Sequence, residues 1–208
     1  MQNCKNEYEP PLADIKGKLR EIIWGLYCNG YDSFYLNCEY GIPLWSAEII
    51  CALKKYNDIE LHIAMPYEEQ ANDWYEDQRE RYFSVHSLAG DVYMLNTRFY
   101  EGCYDEADEY MIDQSDLLLV FGFKNSGDFL HSIKYARGKD IECLYLKIVW
   151  KQVFNIQINA RCSTGTSEKV AIKWYIPADF LGEAVGIYIV SKVGHYLYIW
   201  NPDSPEIS

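Results

Sequence analysis

The chain has 208 residues, with 31 Asp and Glu against 19 Lys and Arg, a formal charge of −12. That balance argues against a nucleic-acid binder, which carries a basic face, and against docking on anionic membrane, which needs clustered Lys and Arg. The hydrophobic fraction of 49% argues against disorder, and no run approaches the ~18 apolar residues of a membrane span.

The length suits one large domain, or one domain plus an appendage. The start, Met1-Gln2-Asn3-Cys4-Lys5, lacks an apolar signal region, so a cytoplasmic protein is expected. Seven cysteines, an odd number with no C-x-x-C spacing, suggest neither a disulfide framework nor a zinc site. Reduced thiols are the expectation.

In chain order, Leu12 to Asn29 reads as an amphipathic helix, with Ile15, Leu19, Ile22, Ile23 and Leu26 at helical spacing and Asn29-Gly30 as its stop. Ser33–Leu36 is a short strand, Leu44–Tyr56 a helix, Ile59–Met65 a strand closed by Pro66, and Glu68–Ser87 a long charged helix. Asp91–Leu95 follows as a strand and Asp105–Gln114 as a short helix. Leu117–Phe121 is the most continuous apolar strand, suited to the middle of a parallel sheet. Asp128–Ala136 is a helix, with Gly138 as its stop, and Ile141–Val149 a strand. This alternation predicts an α/β fold with a Rossmann-like, doubly wound, mostly parallel sheet over residues 1–150. Past Trp150 the pattern turns β-rich: Val153–Ile158, Val170–Ile176, Ile187–Ser191 and Tyr196–Trp200 read as strands. Residues 151–208 are therefore expected to form a β-rich extension, or strands added to the sheet edge.

The run Ala64-Met65-Pro66-Tyr67-Glu68-Glu69-Gln70, then Trp74, then Arg81-Tyr82, resembles the YpsA-like branch of the SLOG superfamily, which reads A-I-P-F-x-x-Q, a Trp, then R-Y. Gly30-Tyr31, Phe34, Gly41, Trp45 and Ala47-Glu48 fit its upstream segment, and Tyr100, Tyr104, Met111, Asp113, Ser115-Asp116 and Tyr135-Ala136 its downstream one. The resemblance covers roughly Ile22 to Leu146 and implies a Rossmann-like fold that binds nucleotide-derived ligands.

The departures fall where such a ligand would sit. The family's first strand, ending in T-G-H-R, has no counterpart before the first helix. Its G-M-A-x-G-x-D loop becomes Asn37-Cys38-Glu39-Tyr40-Gly41-Ile42-Pro43, its R-N pair becomes Ala107-Asp108, and its G-G-T turn becomes Ser126-Gly127-Asp128. Glycines let backbone N–H groups approach a phosphate, and Thr and Arg add donors. Carboxylates at Glu39 and Asp128 do the opposite. Two like charges about 4 Å apart repel by roughly 4 kcal/mol at intermediate dielectric. A phosphate in the family's usual pose is thus disfavoured, and the P-G-G-x-G-T-x-x-E motif of nucleotide hydrolysis is missing.

The candidate ligand-binding set is Asn37, Glu39, Gly41, Pro66, Gln70, Trp74, Arg81, Ser126, Gly127 and Asp128. Gln70, Trp74, Gln78 and Arg81 share one face if the helix begins at Glu68. Gln70 and Arg81 would bind a polar ligand and Trp74 would stack on it. The plainer reading ranks ahead: Pro66 sets a turn, and Trp74 and Arg81 hold the helix to its neighbours. Asp105-Glu106-Ala107-Asp108-Glu109 reads as a solvated helix start. Cys38 beside Glu39 should have a raised thiol pKa and no nucleophile role. Ser126 reads as an N-cap. The four histidines lie in separate elements and read as surface or packing residues.

The preferred expectation is a non-catalytic protein that senses or sequesters a small polar or nucleotide-derived ligand, with no cofactor and no metal. The alternatives are a nucleotide-processing hydrolase rebuilt around Glu39 or Asp128, and an interaction module with a vestigial pocket. A homo-oligomer through an exposed sheet edge or an aromatic surface is expected. A doubly wound sheet without its central first strand would expose two edges. An extension strand, Val170–Ile176 or Tyr196–Trp200, is therefore predicted to fill the vacancy or to pair with a second subunit.

Overall fold

The computed structural model describes residues 12–121, 128–146 and 168–174. The helices are α1 (Leu12–Cys28), α2 (Ile42–Lys54), α3 (Glu76–Leu88), α4 (Cys103–Asp113) and α5 (Asp128–Gly138). The strands are β1 (Tyr31–Leu36), β2 (Glu60–Met65), β3 (Asp91–Met94), β4 (Leu117–Phe121), β5 (Glu142–Leu146) and β6 (Glu168–Trp174). They form one sheet in the order β3-β2-β1-β6-β4-β5, and every neighbouring pair is parallel. This is a Rossmann-like α/β fold.

Period-2 alternation sorts the strand residues onto two cores. Phe34, Leu36, Leu61, Ile63, Leu117 and Leu119 face α1, α2 and α3. Tyr35, Ala64, Leu118 and Val120 face α4 and α5. The α1 stripe Ile15, Leu19, Ile22, Ile23 and Leu26 is buried as its spacing predicts. Burying a Leu- or Ile-sized side chain contributes roughly 1.5–3 kcal/mol, so this stripe anchors α1 firmly. The helix closes where Asn29 and Gly30 donate backbone N–H groups to Leu26 and Tyr27, with Gly30 at φ 96°.

The predicted helix from Glu68 is corrected. Residues 68–74 form successive tight turns, and α3 starts only at Glu76. Backbone bonds Gln70→Tyr67, Asn72→Glu69 and Trp74→Ala71 close these turns three residues apart. Charged composition could not reveal this, because the turns are set by burying Gln70 and Ala71. Gln70 and Trp74 therefore do not share a helical face with Gln78 and Arg81.

The central slot between β1 and β4 is filled by β6, which overlaps the predicted Val170–Ile176. It lies inside the sheet and not at an edge. Phe34 and Tyr35 of β1 pair with Val170 and Ala171, and Leu117 to Phe121 of β4 pair with Val170 to Trp174. The other extension strands, Val153–Ile158, Ile187–Ser191 and Tyr196–Trp200, lie outside the described residues. Among the described residues no helix is long and apolar enough to cross a membrane.

A proline inside a central strand removes a ladder bond on a fully paired chain, whereas an edge strand tolerates it. Ala171→Pro is expected to lower Tm by roughly 6–12 °C or to abolish cooperative unfolding. Val92→Pro in the edge strand β3 is expected to cost clearly less. Melts followed by circular dichroism measure both, and equal losses would contradict the central placement of β6.

Candidate functional site

The loop after β1 is built from its own backbone needs. Asn37 is buried, and its Oδ1 accepts the Glu39 N–H at 3.1 Å. Cys38 is fully buried at φ 52°, a left-handed conformation for a residue with a Cβ. Gly41, at φ 111°, turns the chain into α2, and Pro43 sits in the first helical turn.

This arrangement leaves the α2 N-terminus poor in anion donors. Pro43 has no N–H. Leu44 donates to Glu39 O at 3.1 Å, and Trp45 to Gly41 O at 2.9 Å. Glu39 adds a carboxylate directly in front of the helix. The two effects act in the same direction, against a phosphate at this turn.

Gln70 is tied into the same loop from below. Its Nε2 donates to Asn37 O at 3.1 Å, and its Oε1 accepts the Tyr82 hydroxyl at 3.4 Å. Trp74 meets Tyr82 edge-on, with centroids 5.3 Å apart, and Tyr40 at 5.8 Å. Pro66 is buried at the end of β2, where its carbonyl accepts Asn96 Nδ2 at 3.2 Å. Gln70 and Trp74 thus brace the loop through packing and buried hydrogen bonds.

Arg81 is placed elsewhere. Its Nε and Nη2 hold both oxygens of Glu48 at 2.6 and 2.7 Å, a bidentate pair joining α3 to α2. The pair lines a groove of about 380 Å³ with Cys51, Lys55, Val85 and Leu88. Asp128 heads α5, and Ser126 and Gly127 lie outside the described residues. Asn37, Glu39, Gly41, Gln70 and Trp74 thus meet at one loop, while Arg81 does not join them.

Two groups at the carboxyl edge carry more than their spacing suggested. Tyr67, right after β2, packs edge-on against Phe99 and Tyr104, with centroids at 5.5 and 6.1 Å. Burial, then the Glu39 carboxylate, then Tyr67 drive the Tyr104 hydroxyl well above its ordinary pKa of 10. The Glu39 carboxylate therefore acts electrostatically on Tyr104, a member of the aromatic cluster formed by Tyr67, Phe99 and Tyr104. Asn96 braces that cluster by bonding Glu106 at 2.8 Å as well as Pro66, and Tyr100 donates to the same Glu106 oxygen at 2.6 Å. These two hydrogen bonds hold the Glu106 carboxyl below its usual range. The available sequence signal was aromatic residues directly following two strands.

Asp108 corrects the solvated reading of the acidic run. Asp105 and Glu106 are exposed, but Asp108 is 1% exposed and accepts Ser132 Oγ at 2.7 Å. It falls on the stripe Cys103, Ala107, Asp108, Met111, Ile112 that faces the core. The Cys38 thiol pKa is raised as expected, but for another reason: burial first, then Cys51 and Glu48. Burial likewise pushes Cys51 up to about 11, so neither thiol is activated. His62 stacks on Tyr35 and bonds Asp91 at 3.0 Å, while His86 bonds Tyr82 O at 2.8 Å and is held below its ordinary pKa by burial. His131 bonds Glu109 at 2.7 Å, and His195 lies outside the described residues. Among the described residues no three His, Cys, Asp or Glu side chains group to hold a metal.

A parallel sheet wound in both directions, with its crossover loops gathered at the carboxyl edge, defines the doubly wound class of open α/β folds. Within that class the chain belongs to the YpsA family, described as the YspA SLOG family, whose model matches residues 3–142. It is 29% identical over 139 residues to UPF0398 proteins of Bacillus thuringiensis (strain Al Hakam) and Bacillus cereus (strain AH187), covering 65% of this chain and 75% of theirs. A solved (E)-4-hydroxy-3-methyl-but-2-enyl diphosphate reductase aligns at 12% identity and a TM-score of 0.24. That alignment covers 76% of this chain and 58% of the reductase, and at that score it carries no argument. The strand β6 lies beyond the matched residues.

Replacing Gln70 by Leu should strand the Tyr82 hydroxyl and the Asn37 carbonyl in the core. A buried group left unpaired costs about 1–3 kcal/mol. Urea unfolding of Gln70→Leu is expected to show a loss in that range. An unchanged midpoint would mean that Gln70 does not brace the loop.

Proposed function

We propose that this protein is a non-catalytic binder that senses or sequesters a small polar, nucleotide-derived ligand at the carboxyl edge of its sheet. The observation that carries this reading is the Glu39 carboxylate acting on Tyr104, which packs edge-on against Tyr67. A carboxylate beside aromatic rings suits a flat, donor-bearing ring such as a nucleobase with an exocyclic amine. The occupied donors at the start of α2 support a ligand whose phosphate, if it has one, is not held at that turn. The inert thiols and the absence of a nucleotide-hydrolysis motif support binding without turnover.

Thermal shift and calorimetry with nucleobases, adenosine, cyclic nucleotides, NAD and ADP-ribose test this reading. A ring-bearing ligand is expected to stabilise the protein unchanged by turnover, while inorganic phosphate alone does not. Glu39→Gln is expected to weaken that ligand about tenfold, as for loss of a charge-assisted hydrogen bond. No shift with any of these compounds would sink the reading.

A second copy of the chain is the macromolecular partner we propose, paired through β3. Among the described residues this strand has a sheet neighbour on one side only. Its Val92, Tyr93 and Met94 are exposed, as are Phe99 and Tyr100 just beyond it. An unprotected apolar edge is a template for strand pairing, and an isologous pair closes it symmetrically. Light scattering after size exclusion is expected to give twice the chain mass, falling to one chain mass in Val92→Lys. A monomer at every concentration would refute it.

A further inference from the structure

The groove between α2 and α3 shares no residue with the loop after β1 or with β3, and its lining follows from helix phase. Both helices follow strands of one parallel sheet and cover the same face, so they run side by side in one direction. The Arg81–Glu48 pair fixes their stagger. Cys51, Ala52 and Lys55 then continue one wall, and Ser84, Val85 and Leu88 the other, around about 380 Å³ of open space. Seven helical residues span about 10 Å, so the groove is roughly two turns long.

The floor of the groove is low. Cys51 and Val85 are buried, while Ala52 and Ser84 are exposed and too short to fill the space above them. Leu88 is 48% exposed, at the end that Lys55 also lines. The other end is acidic. Asp73, Glu76, Asp77 and Glu80 are all exposed in and just before the first turns of α3, against Arg79, and Glu80 lines the groove itself. Arg81 does not offset them, because its guanidinium holds the Glu48 carboxylate in a bidentate pair.

A groove of this shape takes the apolar face of a further helix, and a rim of one charge sign attracts the opposite sign. The acids disfavour nucleic acid and an anionic membrane surface. A second copy of the chain would bring a net charge of −12 to the same acidic rim. We infer that the α2–α3 groove is a docking site for a basic amphipathic helix of a partner protein. Two apolar side chains four residues apart on that helix seat above Ala52 and Ser84, against Leu88. Its cationic residues face Asp77 and Glu80. This site does not rest on the ligand reading above.

Fluorescence anisotropy on the full chain at physiological salt tests the inference, with a labelled amphipathic helix of Leu and Lys and its Leu and Glu counterpart as probes. The Leu–Lys helix is expected to bind and the Leu–Glu helix not to. The Ala52→Gln/Ser84→Gln double variant fills the floor without changing charge, at two exposed positions. It is expected to keep the wild-type Tm and to weaken the Leu–Lys helix about tenfold. Where it does not fold, Leu88→Ser takes its place with the same expected loss. Glu80→Lys is expected to weaken binding by a similar factor, and Glu101→Lys, the same change of charge ahead of α4, to have little effect. Equal losses from these two variants mean attraction to net charge alone and overturn the inference. So does a floor variant that binds as tightly as the wild type, or a wild type that does not bind. A double variant that lowers the mass seen by light scattering assigns the groove to a second copy and overturns it as well.

Discussion

The ladders on the two sides of β6 are the constraint on which the rest of the molecule depends. Without Glu168–Trp174 the described sheet would fall into β3-β2-β1 and β4-β5, with β1 and β4 left unpaired where they now meet β6. With it, Phe34 and Leu117 lie on one continuous surface that α1, α2 and α3 cover together. The pairing joins Tyr35 to Ala171 across most of the chain. Loop-closure entropy rises only slowly with length, so this long connection is thermodynamically tolerable. The usual cost of such contacts is speed, since distant strand pairing retards folding. The central position between β1 and β4 is thus taken by a strand late in the chain, parallel to both.

Local electrostatics at the carboxyl edge follow from the same framework. The loop from Asn37 to Gly41 spends its donors on itself: Asn37 caps Glu39, and Glu39 O and Gly41 O take the N–H groups of Leu44 and Trp45. Pro43 subtracts another. A helix N-terminus that elsewhere attracts anions is here closed by its own chain and fronted by a carboxylate. Part of the −12 therefore acts at one place, beside Tyr104, and not only on the solvated surface.

Much of the fold was legible because its signals are local. The α1 stripe, the Asn29-Gly30 stop and the alternation of Phe34, Tyr35 and Leu36 need only periodicity and turn chemistry. Less of the site was legible. The Glu68–Trp74 stretch looks helical by charge but is bent into turns because Gln70 must reach Asn37 O and Tyr82, residues distant in sequence. Asp108 looks like a surface acid by its neighbours. It is buried because the stripe through Ala107, Met111 and Ile112 carries it inward to Ser132. Arg81 looks like a ligand cation, and the Glu48 carboxylate, brought alongside by α2, claims it.

The sequence by itself determined the alternating elements, the Rossmann-like class, the family and the loss of phosphate donors at the β1 turn. Each of these is a matter of residue type at short spacing, where periodicity, glycine and charge act directly. Only the tertiary structure decided which strand fills the central slot and which side chains meet at its end. Those outcomes depend on hydrogen-bond ladders and burial between segments far apart in the chain. Their register follows from how two apolar faces are covered at once, and no short stretch of sequence holds that information.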